Sequence, residues 1–288
     1  MLNPPQRYIL APNEAHNLPT WRAAFSERTA ELMAKLALLA YQSNDKHLAA
    51  ELAQGGFELL ATYDEGVSQG YLAKTPDFAV LAFRGSDSYA DWRINLASRA
   101  VPLKTSLGRV RVHEGFKNAY DLIGDALHAD MNAKIPQHLG IYITGHSFGA
   151  ALAQIASAAL ERDNLAACYT FGAPRVGDIA FDSLVLCPHY RMVNGWDLVS
   201  TMPPPFLTPF RHNGDPRLMT EIGRPIMRRD RNPLIKLGQT LIGLIYLLVG
   251  NRRLFKDHKL ESYLHSIEAV RELRGKERVA GLLTRPWV

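Results

Sequence analysis

The chain has 288 residues, 47% of them hydrophobic, with a formal net charge of +5 and two cysteines. That apolar content suffices for one domain with a large core. The cysteines, in the apolar settings Ala166-Ala167-Cys168-Tyr169 and Val185-Leu186-Cys187-Pro188, argue against a disulfide framework and suit a reducing compartment.

The opening Met1-Leu2-Asn3-Pro4-Pro5-Gln6-Arg7 has no basic segment followed by a long apolar run. No secretory signal peptide is expected, and the protein is expected in the cytoplasm or at the periphery of a membrane, any export being signal-independent. Thr20 to Tyr41, with Phe25, Leu32, Leu36 and Leu39 recurring at helical spacing, predicts an amphipathic helix of the outer layer. Phe57–Thr62, Gly70–Lys74 and Phe78–Phe83 predict strands, the last two joined as a hairpin at Thr75-Pro76-Asp77. Glu114–Met131 predicts a helix with Phe116, Tyr120, Ile123 and Leu127 on one face. Further strands are expected at Leu139–Thr144, Ala167–Phe171 and His189–Val193, the proline-rich Met202–Pro209 as a loop, and a final helix over Asp257–Leu273 with Leu260, Tyr263, Leu264, Ile267 and Val270 as its buried stripe. Strands alternating with helices indicate an α/β class.

Gly145-His146-Ser147-Phe148-Gly149 joins the β-branched and aromatic run Ile141-Tyr142-Ile143-Thr144 to the small, helix-forming Ala150-Ala151-Leu152-Ala153-Gln154-Ile155-Ala156. Strand, sharp turn and helix in that order read as a serine nucleophile lifted on an elbow, where glycines on either side remove clashes. Ser147 would then lie at a helix N-terminus, whose unpaired N–H groups favour developing negative charge, with the Phe148 N–H as the first oxyanion donor.

A serine at neutral pH needs a base within reach and an acid that orients the base. Asp197 follows the strand His189–Val193 through Asn194-Gly195-Trp196, which places it at a strand's C-terminal end, where ligand sites of open α/β sheets lie. Asp178 is the runner-up, although its setting also suits a helix cap. Among His189, His212, His258 and His265, His258 stands at a loop-to-helix junction that can turn its ring into a cleft. His265, further along the same helix, is the fallback. His146 is read as packing or hydrogen-bonding below the elbow, and His212, among prolines and arginines, as surface. A second oxyanion donor is expected from Ser86, in the turn Phe83-Arg84-Gly85-Ser86 after an earlier strand.

With these residues in place the chain resembles the class 3 lipase family, the α/β-hydrolases typified by fungal triacylglycerol lipases. The blocks that carry the resemblance are Phe83-Arg84-Gly85-Ser86 with Asp91-Trp92 and Asn95-Leu96, Val112-His113-Glu114-Gly115-Phe116, the elbow, Phe171 to Asp178, Val193-Asn194-Gly195-Trp196-Asp197-Leu198-Val199, and His258 with Tyr263-Leu264. The resemblance implies a single α/β-hydrolase domain over residues 1–288, with a mostly parallel central sheet flanked by helices and an apolar insertion at about 233–250. It implies a lipase cleaving lipid acyl esters, with Ser147 as nucleophile, Asp197 as orienting acid, His258 as general base, and Ser86 and Phe148 as oxyanion donors. Phospholipase A-type hydrolysis, acyl transfer and silent lipid binding remain alternatives on the same residues. Ser200 departs from the family, which often has proline there. Trp92, Ile94 and Leu96 are read either as a lid over the cleft or as core. No ligand cluster with metal spacing is apparent, and neither a metal nor an organic cofactor is expected.

Leu237–Val249 contains only Gln239 and Thr240 as clearly polar residues and is flanked by Arg228, Arg229, Arg231 and Lys236 before it, and Arg252, Arg253 and Lys256 after it. As a helix it would cover roughly 20 Å, short of a bilayer's ~30 Å core. Three readings stay open: a buried core helix, an interfacial helix or second lid, and a tilted span extended to Pro233. Thr208–Val288 carries 16 Lys/Arg against 8 Asp/Glu, whereas the first 207 residues carry 17 against 20. No nucleic-acid module accompanies this basic quarter, so an anionic membrane surface, met through residues 228–256, is the better partner. The sequence leaves the oligomeric state and the particular lipid ester open.

Overall fold

A computed structural model of the protein describes residues 8–12, 14–15, 18–86, 99–195, 197–219 and 256–279. Trp92, Ile94, Leu96 and Leu237–Val249 lie outside the described residues. The strands are β1 (Glu58–Glu65), β2 (Ser68–Lys74), β3 (Phe78–Phe83), β4 (Ala100–Thr105), β5 (Gly108–His113), β6 (Gly140–His146), β7 (Leu165–Phe171), β8 (His189–Asn194) and β9 (Asp215–Met219). The α-helices are α1 (Glu27–Leu39), α2 (Asp45–Gln54), α3 (Glu114–Lys134), α4 (Phe148–Ala159) and α5 (Leu260–Val279). Seven strands form one sheet in the order β1-β2-β3-β6-β7-β8-β9, and β4 and β5 form a separate hairpin. β1, β2 and β3 run antiparallel, while every pairing from β3 to β9 is parallel. The α/β alternation is as the sequence indicates.

The central strands are apolar throughout because both faces of the sheet are covered. Along β3, Phe78, Val80 and Ala82 pack with α1 and α5 on one face, and Ala79, Leu81 and Phe83 with α3 and α4 on the other. β6 repeats the alternation, with Tyr142 on the first side and Ile141 and Ile143 on the second. The elbow between β6 and α4 is therefore clamped by two cores.

α1 begins at Glu27, not Thr20, because the Ser26 hydroxyl accepts the Thr29 N–H at 3.0 Å from extended backbone and caps the helix there. The chain before it is tied to the sheet instead: the Ala23 N–H donates to the Ala166 carbonyl at 2.8 Å, and the Tyr142 hydroxyl to the Pro19 carbonyl at 2.5 Å. Nor is α1 an outer amphipathic helix, since Thr29 through Leu39 are buried, Glu31 and Lys35 included. These charges are tolerated because they pair: Lys35 Nζ lies 2.7 Å from Glu14 and 3.2 Å from Glu31, and Arg271 of α5 lies 2.7 Å from Glu31. Burial alone would lower the Lys35 ammonium, but Glu14 and Glu31 outweigh it and hold it above its ordinary value.

α5 starts at Leu260, just after His258, and docks on α1 and β8 through buried Leu260, Tyr263, Leu264, Ile267 and Val270. Fully burying a Leu, Ile or Val side chain contributes roughly 1.5–3 kcal/mol, whereas an ion pair to the half-exposed Arg271 contributes at most about 1 kcal/mol. The apolar stripe, not the charges, holds the helix. α2, β4, β5 and β9 are elements beyond those expected. No helix among the described residues is long and apolar enough to cross a membrane.

Beyond α4, buried Arg162 donates to the carbonyls of Met131 and Ile135 and to the side-chain oxygens of Asn132 and Asn164, tying the end of α3 to the start of β7. Arg162→Ala strands these acceptors and is expected to lower unfolding free energy by about 2–4 kcal/mol in urea titration, with the elbow retained.

Candidate active site

Ser147 closes β6 with φ 57° and ψ −120°, a conformation L-residues rarely adopt. Its N–H donates to the Phe171 carbonyl at 2.9 Å, extending the β6–β7 ladder to the turn itself. Neighbouring glycines make the turn sterically accessible. A Cβ on Gly145 would run into the Gly149 carbonyl, and one on Gly149 would meet the carbonyls of Phe83 and Arg84. The start of α4 thus rests directly on the backbone that follows β3. Phe148 is the first helical residue, so its N–H has no acceptor within the helix. Ser86, half-buried, follows Gly85, where an added Cβ would lie 3.2 Å from Ser147 Cβ. The loop carrying the expected second oxyanion donor therefore abuts the elbow.

Three sequence-expected residues meet at the C-terminal edge of the sheet. His258 Nε2 is 2.8 Å from Ser147 Oγ, and His258 Nδ1 is 3.0 and 2.9 Å from the two Asp197 carboxylate oxygens. An ionised carboxylate only accepts, so Nδ1 carries the proton and Nε2 is left to accept the serine O–H. Asp197 is fully enclosed: the Val199 N–H donates to Oδ1 at 2.8 Å and the Tyr263 hydroxyl to Oδ2 at 2.5 Å. Burial alone would raise its carboxyl. The charge and hydrogen bond of His258 and the bond from Tyr263 outweigh burial and hold Asp197 below its ordinary value. Burial, then the charge of Asp197, pushes the Tyr263 phenol well up, so it stays a donor.

Gly172 and Gly195 make room for the acid and base. Gly172 has φ +61°, and a Cβ there would sit 2.6 Å from Asp197 Oδ2 and 2.9 Å from His258 Nδ1. Gly195, at φ +46°, turns the chain from β8 into Asp197, and its missing Cβ leaves space for the Asp257 carboxylate. Asn194 then locks the far side, donating to the Asp257 carbonyl at 3.1 Å and accepting from Ser266 at 2.9 Å. Ser200 serves the acid loop in place of proline: its hydroxyl donates to the Asp197 carbonyl at 2.7 Å.

The other candidates lie elsewhere. Asp178 accepts from the N–H groups of Arg111 and Ala180 and pairs with Arg111 at 3.5 Å, bracing a turn rather than capping the short helix Phe181–Leu184, which has no side-chain cap. His265 is exposed on α5. His189 is buried in β8, its Nε2 2.9 Å from the Thr170 hydroxyl. His212 is not on the surface: half-buried, it donates from Nε2 to the Ser200 carbonyl at 2.6 Å, because the proline-rich loop folds back under the acid turn. His146 lies below the elbow as expected. Tyr263 is legible in the sequence as core, but its bond to Asp197 is not, since the partner stands on another element. Among the described residues, no group of three or more His, Cys, Asp or Glu side chains is placed to hold a metal ion.

The model of the family Lipase (class 3) matches residues 80–207. The chain is 32% identical over 152 residues to a lipase of Rhizomucor miehei, covering 49% of this chain and 41% of that one. It is 32% identical over 133 residues to a secreted mono- and diacylglycerol lipase of Fusarium solani, covering 43% and 39%. It thus spans about two fifths of the length of these curated relatives. A solved triacylglycerol lipase, whose catalytic centre is described as a serine protease triad, superposes with a TM-score of 0.57 at 26% identity, over 69% of this chain and 82% of that one. The fold is the α/β-hydrolase fold.

The low carboxyl of Asp197 carries a pH signature. A depressed folded pKa contributes stability above the unfolded carboxylate value, and the contribution fades as pH falls through the folded value. Tyr263→Phe removes a bond to the ionised form, so the folded value rises. The variant should lose about 1.5–3 kcal/mol at neutral pH and unfold in acid at a higher midpoint, followed by intrinsic fluorescence; an unchanged midpoint would count against the role of the hydroxyl.

Proposed function

We propose, from the match of residues 80–207 to the class 3 lipase family and from the relay at the sheet edge, that the chain is a class 3 lipase-like serine carboxylic-ester hydrolase acting on lipid acyl esters. The observation that carries the reading is the unbroken hydrogen-bonded series from Ser147 Oγ through both nitrogens of His258 to Asp197. Ser147 Oγ attacks the ester carbonyl as His258 Nε2 takes its proton. The imidazolium that forms is stabilised by buried Asp197. The negative oxygen of the tetrahedral intermediate is met by the Phe148 N–H at the start of α4 and by Ser86. His258 then returns the proton to the departing alcohol, leaving an acyl-enzyme. A water activated by the same histidine releases the acid. These steps draw on side chains and water and call for no metal or organic cofactor.

A lipid substrate is further supported by the loop after the acid. Phe206 is 52% and Leu207 67% exposed, and Arg211 fastens this loop by donating to the carbonyls of Pro205, Thr208 and Phe210. Contact with an anionic membrane surface through residues 228–256 belongs to the same reading, and its support is the apolar run with basic flanks in the sequence. Triacylglycerol, monoacylglycerol and phospholipid esters would all use the same relay, as would acyl transfer to an alcohol.

Two experiments test this. Ser147→Ala should lower ester hydrolysis by roughly 10⁴-fold or more across a panel of these lipids; equal hydrolysis by variant and wild type would overturn the reading, and product analysis with a competing alcohol separates hydrolysis from transfer. Deleting Leu241–Val249 should reduce cosedimentation with anionic vesicles while hydrolysis of a soluble short-chain ester persists. Unchanged vesicle binding by the folded variant removes the membrane role of this segment.

A further inference from the structure

A second hydrogen-bonded series reaches the general base from the opposite side. Tyr41 follows the end of α1, and its hydroxyl is 2.7 Å from His146 Nδ1, while His146 Nε2 is 2.7 Å from the backbone carbonyl oxygen of His258. A carbonyl only accepts, so His146 carries its proton on Nε2, and its Nδ1 accepts the Tyr41 O–H. Burial, and then the neighbouring His258, lower His146 to about 3. The ring therefore stays neutral, in one tautomer, at neutral pH. It lies against the His258 ring with centroids 4.7 Å apart and planes inclined by 33°.

Tyr41 also reaches the other half of the site. A Cβ on Gly85 would collide with the Tyr41 hydroxyl and sit 2.7 Å from the His146 carbonyl oxygen, and the Arg84 guanidinium lies 5.6 Å from the centre of the Tyr41 ring. One side chain thus touches both the loop that carries Ser86 and the group that holds His258.

We propose that Tyr41 and His146 are positioning residues that hold the general base and the oxyanion loop in register across the elbow. The proposal rests on the esterase reading above. The bonds from the His258 ring, to Ser147 and to Asp197, fix the imidazole, and His258 precedes α5 in a turn rather than lying within the helix. Asn194 holds the neighbouring Asp257 carbonyl, and the bond from His146 restrains the His258 carbonyl itself. A misplacement of about 1 Å in such a group lowers turnover by roughly 10²-fold.

Tyr41→Phe keeps the ring and removes only the donor. With p-nitrophenyl butyrate as substrate and rates normalised to the sites titrated by a p-nitrophenyl phosphonate, kcat is expected to fall about 10- to 100-fold with KM within about threefold of wild type. His146→Gln, which retains an N–H donor towards the His258 carbonyl, should recover much of the kcat lost in His146→Leu. A Tyr41→Phe kcat within about twofold of wild type, a loss accounted for wholly by fewer titratable sites, or a folded His146→Gln no better than folded His146→Leu overturns the proposal. If the His146 variants do not fold, Tyr41→Phe decides alone. Ser147→Ala keeps the two readings apart: full activity in that variant sinks the esterase assignment, whereas an inactive Ser147→Ala beside a fully active Tyr41→Phe sinks the positioning role only.

Discussion

Ser147 holds a left-handed backbone conformation of the kind that costs an L-residue on the order of 1–3 kcal/mol, and it persists only because its surroundings leave no alternative. The Phe171 carbonyl fixes its N–H, β6 is buried on both faces, and the start of α4 is pressed against the carbonyls of Phe83 and Arg84. At Gly145 and Gly149 backbone approaches backbone more closely than a Cβ permits, and at Gly85 the Tyr41 hydroxyl and the His146 carbonyl leave no room for one. The same close approach brings the Ser86 loop beside Ser147, so strain at that residue and the placement of the loop have one geometric origin.

The electrostatics divide as sharply as the sterics. Asp197 is fully buried yet held ionised by three directed donors, whereas His146, equally enclosed, is held neutral. Two imidazoles therefore lie almost in contact without competing for a proton. On the proposed mechanism His258 takes up charge beside the counter-charge of Asp197 and next to a ring that stays neutral at neutral pH.

How much of this was legible depended on whether the determinant was local. The elbow is legible in five consecutive residues, because its glycines mark where backbone must pack closely, although the contacts that hold it come from other elements. Asp197 and His258 could be ranked by chain order and by their places at a strand end and a helix start. Tyr41 could not be related to His146, or Tyr263 to Asp197, since each bond joins elements far apart in the chain. α1 has the pattern of an outer helix because Glu31 and Lys35 look like a solvated face; Glu14 and Arg271, from elsewhere in the chain, neutralise them in the fold. β9 carries Asp215, Pro216 and Arg217 in five residues and is a poor strand by composition; only its place beside β8 makes it one.

The relay draws on two kinds of scaffold. Ser147 and Asp197 follow the ends of β6 and β8, but His258 stands in the turn before α5, a helix docked on α1 and β8 by an apolar stripe. Opening of α5 would carry away His258 and, with Tyr263, one donor to Asp197, while Ser147 kept its strained posture. On the proposed reading the molecule would then be folded but idle, its activity tied to the docking of its last helix.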